Sequence, residues 1–428
     1  MSRPSICFLN PPHPYLIQPK AQAPLGMLYV AASVRKAGFD VKFVDLSDKQ
    51  YGDDFNLPEA DIYGITGTIL DVKSIHVVAR QIKKNNKWSK IIVGGPVSLS
   101  PAHLDAELVD SILIGEGEIE IFNVLEDYPR LKSFYKADRI TDLDSLEFPA
   151  RDLLGTHLGG NVFARYQKYY EGGSTVISMS RGCPFDCTFC ASPRIWGRRI
   201  IHRSAESVAA EIDEVAERYG VRQLRFSDDN MTCDRDKLES LCRHLLGKKI
   251  AWRASIRVRP NDVDMFKMMK NAGCVEVCFG IESGDPNVLH TLHKKATVKE
   301  NRIAIMNAKE AGLVVRILFM IGTPGETVKT VDRNIEFLNS VDKHYDTIAI
   351  TNFTPLPGTA VADDPGSNDC EILCYDVDKY NLCLYGPDGK HNEWENHIRP
   401  FGLTLEQLTE NKKRMVKFIM ETGRSNNG

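Results

Sequence analysis

Residues 181–190 read RGCPFDCTFC and place three cysteines, Cys183, Cys187 and Cys190, in a C-x3-C-x2-C spacing with no fourth thiol nearby. Thiolates bind metals, and clustered ones in a chain without a secretion signal point to a metal rather than to disulfides. A structural zinc takes four protein ligands in paired short spacings, which are absent here, and this spacing is unusual for a three-ligand catalytic zinc. A redox pair formed by Cys187 and Cys190 would leave Cys183 unexplained. A 4Fe–4S cluster is normally held by four thiolates, one per iron. Three thiolates leave one iron open, which suits a chemically active cluster.

Such a loop needs elements to hold it. Residues 5 to about 125 alternate apolar strands (SICFLN, FDVKFVD, ADIYGITGT, KIIVGGP, SILIGEGE) with amphipathic helices such as LGMLYVAASVRKAG. That alternation predicts an α/β fold, a Rossmann-like doubly wound parallel sheet over residues 1–125. Glycines at its strand ends (Gly64, Gly67, Gly94, Gly95, Gly115, Gly117) fit a ligand site beyond the carboxyl edge. Residues 126–174 lose the alternation and read as a linker. From Thr175 it returns, with strands TVISMS, VRQLRFSDD, AWRASIRVR, CVEVCFGIES, VVRILFMIGT and DTIAITNFT separated by helical patterns. Six strand–helix units over 175–362 predict a partial TIM-type (β/α)6 barrel. The cysteines follow its first strand, on the carboxyl side where barrels keep their chemistry. Ser204 and Asp234 read as helix N-caps. Residues 363–428 form a short, mainly helical C-terminal region, whose last helix offers Leu403, Leu405, Leu408, Met415 and Phe418 as a packing face.

With 428 residues, 43% hydrophobic and 26% charged, the chain has ample material for a core. A formal charge of -3 gives no broad field to recruit nucleic acid. No apolar run approaches the ~18 residues that span a bilayer, and MSRPSICFLNPPHP lacks the pattern of a signal peptide. The expected setting is the cytoplasm, with neither nucleic acid nor membrane as a partner.

RGCPFDCTFC resembles the signature of the radical S-adenosylmethionine (SAM) enzymes. SPRIWGRRIIHRSAESVAAEI, FSDDN, GIESGDPNVL, IGTPGET and FTPLPGT resemble, in the same order, members with an amino-terminal cobalamin (B12)-binding domain. The resemblance spans nearly all of residues 5–360. It implies that Cys183, Cys187 and Cys190 hold a [4Fe–4S] cluster whose open iron chelates SAM, which is cleaved reductively to a 5′-deoxyadenosyl radical. It places Phe189 by the adenine, Asp228, Asp229 and Asn230 by the ammonium group, and Arg257 by the carboxylate. Glu282 and Ser283 fall by the ribose hydroxyls, and Ile321 and Gly322, opening IGTPGE, along the adenine, although the spacing there departs from the family's strict form. The implied cofactors are the cluster, SAM and cobalamin. The implied reaction is methylation of an unactivated carbon in a small or medium molecule, with flavodoxin or ferredoxin as electron donor. The alternative is a cobalamin-independent radical dehydratase, isomerase, epimerase or cyclase with a vestigial first domain.

Other candidates carry less chemistry. D-x-H-x-x-G, the motif of a cobalt-ligating histidine, is absent. His76 lies in a helical pattern and reads as a packing residue, and His13, after the first strand, is a weak cobalt-ligand candidate. Cys370, Cys374 and Cys383 match no auxiliary-cluster spacing. Cys274 and Cys278 share a strand face and read as core, and Cys233 and Cys242 lack convincing partners.

Overall fold

Short apolar runs become the parallel strands of two separate sheets. The computed structural model describes residues 3–16, 18–155, 158, 168–259, 262–383 and 395–424. The chain divides into two units, residues 1–163 with 173–176, and residues 164–172 with 177–428.

In the first unit, β1 (Ile6–Asn10), α1 (Leu25–Lys36), β2 (Val41–Asp45), β3 (Ile62–Thr66), α2 (Val72–Asn85), β4 (Lys90–Gly94), β5 (Ser111–Ile114), α3 (Gly117–Asp127) and β6 (Phe134–Lys136) follow one another. The strands pair in parallel in the order β2-β1-β3-β4-β5-β6. Every residue of β1 is buried, as a parallel strand covered on both faces requires. Strand order reverses between β1 and β3, so their ends, Asn10 and Thr66, flank the topological switch point where such sheets bind ligands. The chain leaves α1 through Gly38, whose φ of 82° is the left-handed conformation that ends a helix. β6 lies inside the segment expected to be linker. Its three residues bury only Tyr135, so no apolar alternation marks it.

From residue 173 onward the chain carries β7 (Gly173–Ile177), β8 (Ser180–Arg181), α4 (Ser192–Trp196), β9 (Ile201–His202), α5 (Ala205–Tyr219), β10 (Val221–Phe226), α6 (Arg235–Leu245), β11 (Ala251–Ile256), α7 (Val263–Asn271), β12 (Cys274–Glu282), α8 (Pro286–Thr291), α9 (Val298–Glu310), β13 (Val314–Ile321), α10 (Thr330–Ser340) and β14 (Thr347–Asn352). After them come α11 (Ala360–Asp363), β15 (Cys370–Ile372), β16 (Ile398–Pro400) and α12 (Leu405–Glu421). The main sheet runs β14-β13-β12-β11-β10-β7, a half-barrel whose two outer strands do not pair with each other. β10 to β14 pair in parallel.

Alternate strand residues turn to the helices. Phe279 meets Phe266 of α7 edge-on at 6.0 Å, Phe319 meets Phe337 of α10 at 6.0 Å, and Phe226 meets Trp252 at 5.4 Å. Each such buried aromatic contributes about 1.5–3 kcal/mol. The intervening residues face the lumen. Ser204 and Asp234 cap α5 and α6, accepting from Ser207 N and Lys237 N.

Leu408, Met415 and Ile419 bury one face of α12, whereas Leu405 is exposed and Phe418 half-buried. The packing stripe is therefore rotated from the sequence expectation toward Ile419. Among the described residues, no helix is long and apolar enough to cross a membrane.

Candidate active site

The cysteine loop is fastened at both ends by backbone. β8 pairs antiparallel with β9, setting Arg181 opposite Ile201, so residues 182–200 are bracketed by a two-strand clip. Asp228, just past β10, accepts from Met179 N at 3.1 Å and from Ser180 Oγ at 2.5 Å, tying the loop's start to the half-barrel. Burial pushes the Asp228 carboxyl up to about 6 against the lowering effect of those bonds. Farther along, Thr188 N donates to Leu292 O at 3.1 Å, and Cys190 N donates to Cys187 O at 3.1 Å.

Cys183 and Cys187 are buried and Cys190 is half-buried. Burial raises the Cys183 thiol and pushes Cys190 up to about 11, with Asp229 and the neighbouring thiols adding to both. Arg257, following β11, answers this negative potential. Its Nη1 donates to Cys187 Sγ at 3.1 Å, its guanidinium lies 3.8 Å from the Phe185 ring centre, and its Nη2 donates to Lys294 O. Among the described residues, no three His, Cys, Asp or Glu side chains converge as they would around one ion. A four-iron cluster asks something different, because each thiolate binds a separate iron.

The remaining candidates gather at the same strand ends. Asn230 is buried, its Oδ1 accepting from Arg257 N at 3.3 Å and Thr232 Oγ1 at 3.2 Å. Its Nδ2 is a buried donor with no hydrogen-bond partner among the described residues, and such a group calls for a ligand. Asp229 is exposed beside it.

Glu282 ends β12 at a register shift, with φ of 64°, and forms a buried ion pair with Lys294 at 2.6 Å. Lys294 also lies 5.8 Å from the Phe189 ring centre. Sequence reading missed Lys294 and Phe185. The only signal for Lys294 was the basic HKK run that contains it. Ser283 turns away, donating to Asn334 Oδ1 at 2.8 Å and accepting from Asp285 N at 3.1 Å.

Ile321 is buried at the end of β13, and Gly322 (φ 71°) abuts Lys412 of α12, whose Cε would lie 3.0 Å from an added Cβ. Glu326 closes the IGTPGE turn by accepting from Thr323 N and Oγ1, each at 3.0 Å.

At the carboxyl edge of the first unit's sheet, His13 Nδ1 pairs with Asp71 Oδ1 at 2.8 Å and Tyr15 donates to the same oxygen at 2.5 Å. Asp71 Oδ2 in turn accepts from Thr68 N at 2.7 Å and Thr68 Oγ1 at 2.9 Å, completing a capping box in which Thr68 is the N-cap. Gly67 and Gly95 allow two loops to touch, since a Cβ on Gly95 would meet Thr66 Oγ1 at 2.7 Å. A Cβ added at Gly26 would meet nothing within 4 Å beyond its own helix, and one added at Gly94 would meet only Leu113 O at 3.7 Å. That open, small-residue edge fits a flat macrocycle such as cobalamin. His76 Nε2 accepts from Asp105 N at 3.0 Å, a structural bond. Cys274, Cys278, Cys242 and Cys370 are buried, and Cys374 Sγ contacts Asp376 O at 3.8 Å. The Cys383 side chain lies outside the described residues.

A parallel sheet open at its carboxyl edge and a half-barrel with three thiols beyond its first strand define a two-domain cofactor enzyme. Residues 177–338 match the Radical SAM superfamily and residues 21–124 match the B12 binding domain. An uncharacterized methyltransferase of Pyrococcus horikoshii is 32% identical, over 78% of this chain and 77% of its own. An anaerobic magnesium-protoporphyrin IX monomethyl ester cyclase of Cereibacter sphaeroides is 25% identical, over 84% of this chain and 62% of its own. The solved structure of the radical SAM methyltransferase TsrM from Kitasatospora setae, with cobalamin and a [4Fe–4S] cluster bound, has the same fold. Its TM-score is 0.71 at 15% identity, covering 99% of this chain and 91% of that one. The chain belongs to the radical SAM family with an amino-terminal B12 binding domain.

Proposed function

We propose that the protein is a cobalamin-dependent radical SAM methyltransferase acting on an unactivated carbon of a small or medium molecule. The observation that carries this reading is the union, in one chain, of a B12 binding domain with a cysteine loop held at the half-barrel's carboxyl edge. Both the Pyrococcus relative and TsrM are named as methyltransferases. Residues 1–125 are assigned to cobalamin, 126–174 to a connector, 175–362 to radical generation and 363–428 to the tail.

When bound, the cluster with SAM supplies a carbon radical and cobalamin supplies the methyl group. The protein's own residues position these groups. Cys183, Cys187 and Cys190 hold three irons, and Arg257 offsets the charge of their thiolates. Asn230, with its unpartnered buried donor, and the carboxylate Asp229 address the polar end of SAM, while Asp228 holds the loop in place. Phe189 and the Ile321–Gly322 backbone flank the adenine, and Glu282, oriented by Lys294, addresses the ribose. Ser283 fixes the turn behind it. The electron donor is a flavodoxin or ferredoxin, and the compartment is the cytoplasm.

Protein purified without oxygen from cobalamin-fed cells should contain about four irons per chain and stoichiometric cobalt. With reductant and substrate it should yield S-adenosylhomocysteine together with 5′-deoxyadenosine. Iron and 5′-deoxyadenosine without cobalt, even after cobalamin reconstitution, would replace methyl transfer by a radical rearrangement, elimination or cyclisation.

A further inference from the structure

Three loops at the carboxyl edge of the first unit's sheet converge on His13. Its backbone N–H donates to Ser47 O, after β2, at 3.0 Å, and its ring reaches Asp71, after β3, and Asn10, at the end of β1. Strand order reverses between β1 and β3, so the ring stands at the switch point where such sheets bind ligands. Its side chain is 14% exposed, against 3% for Asp71.

The partners of Asp71 decide which ring nitrogen carries the proton. A carboxylate only accepts. Oδ2 takes Thr68 N at 2.7 Å and Thr68 Oγ1 at 2.9 Å, and Oδ1 takes Tyr15 OH at 2.5 Å and His13 Nδ1 at 2.8 Å. Nδ1 is therefore the donor, and a neutral ring keeps its lone pair on Nε2.

That lone pair meets no donor. Asn10 Nδ2 donates to Asp45 Oδ1 at 2.9 Å, which turns the amide so that its Oδ1 faces His13 Nε2 at 3.4 Å. Two acceptors then face each other across a long contact, unless the ring takes a second proton or a metal. A metal-ligating histidine almost always gives its other N–H to a carboxylate or carbonyl, which fixes the tautomer and makes the ring more basic. His13 already holds that arrangement.

We propose that His13 Nε2 is the protein's ligand to the cobalt of a corrinoid bound at this edge, with Asp71 and Tyr15 as positioning residues that fix the ring's tautomer and direction. The assignment rests on the cobalamin reading above and adds to it the atom that meets the metal. No short sequence motif registers the pair, because Asp71 lies 58 residues beyond His13. A carboxylate behind the ring strengthens its donation and so favours the more oxidised metal. Asp71 therefore makes reduction of cobalt(II) to cobalt(I) harder.

The test is electron paramagnetic resonance of the full chain, purified anaerobically and loaded with cob(II)inamide. This corrinoid lacks the nucleotide and so brings no axial nitrogen of its own. Each cobalt line of the wild type should be split into a triplet by one ¹⁴N nucleus, and protein grown on ¹⁵N-histidine should show a doublet instead. His13→Gln should lose the splitting, and His103→Gln, in the same unit, should keep it. Asp71→Asn should keep the splitting but move the cobalt(II)/cobalt(I) midpoint to a less negative potential, which a merely structural contact would leave unmoved.

A bound corrinoid without nitrogen splitting would overturn the proposal, as would a splitting that survives His13→Gln or ignores the ¹⁵N label. In each of these cases stoichiometric corrinoid leaves the cobalamin reading standing. A wild type that takes up neither cobinamide nor cobalamin would sink both.

Discussion

Arg257 Nη1 sits 3.1 Å from Cys187 Sγ, so the third strand of the half-barrel delivers a cation directly to one of the three thiols. Hydrogen bonds and charge at cluster sulfurs set the reduction potential. Arg257→Gln removes the charge while keeping an amide donor. We expect iron content to stay near wild type and the cluster potential to become more negative, with slower SAM cleavage, measured by a redox titration followed by electron paramagnetic resonance. An unchanged potential would separate Arg257 from the cluster.

Cys187→Ala removes the thiol that Arg257 contacts. Two thiolates cannot retain a four-iron cluster whose open site must be reserved for a cofactor. Iron and the brown chromophore should fall to background and 5′-deoxyadenosine should disappear, as read by metal analysis and chromatography. Full activity in this variant would refute the assignment of the loop.

Glu282 and Lys294 form a buried pair at 2.6 Å. Removing one charge strands the other, at a cost of about 3–5 kcal/mol. Glu282→Gln should lower the thermal midpoint by several degrees, and the double variant Glu282→Gln with Lys294→Met should recover most of it. A double variant as unstable as the single one would show that the pair is not what matters there.

Buried His397 gives a pH dependence with a definite sign. Burial first, then nearby Lys412, lower its pKa from 6.5 to about 4. The folded chain binds fewer protons here than the unfolded one, so the stabilisation is complete above about pH 6.5 and is lost as pH falls toward 4. The full swing is about 3 kcal/mol. Asp228 acts oppositely, because its raised carboxyl favours the folded state at low pH and loses that advantage as pH rises to about 6. Thermal midpoints of wild type and His397→Gln should therefore converge toward pH 4 relative to their separation at pH 7. A constant separation would exclude the titration.

Much of this was legible in the sequence because burial and spacing are local. Buried strands such as Ile6–Asn10 advertise themselves as apolar runs, and Ser204 and Asp234 announce their helices through side chains that bond three residues ahead. The half-barrel's lumen was not legible. Arg225, Arg253 and Arg316 look like solvent-facing positions of ordinary strands, since period-two alternation cannot tell a lumen from bulk water. Contacts between distant segments were equally silent. Nothing in the spacing links Lys294 to Glu282 across the intervening helix, or His13 to Asp71.

The clip formed by β8 and β9 bears on assembly. Because backbone pairing joins Arg181 to Ile201, and Asp228 pins the segment just before it, the chain's own hydrogen bonds offset the entropy of closing residues 182–200. The loop's two ends are thereby fixed by the chain's own hydrogen bonds, so a change at either clip strand would act on all three thiols at once.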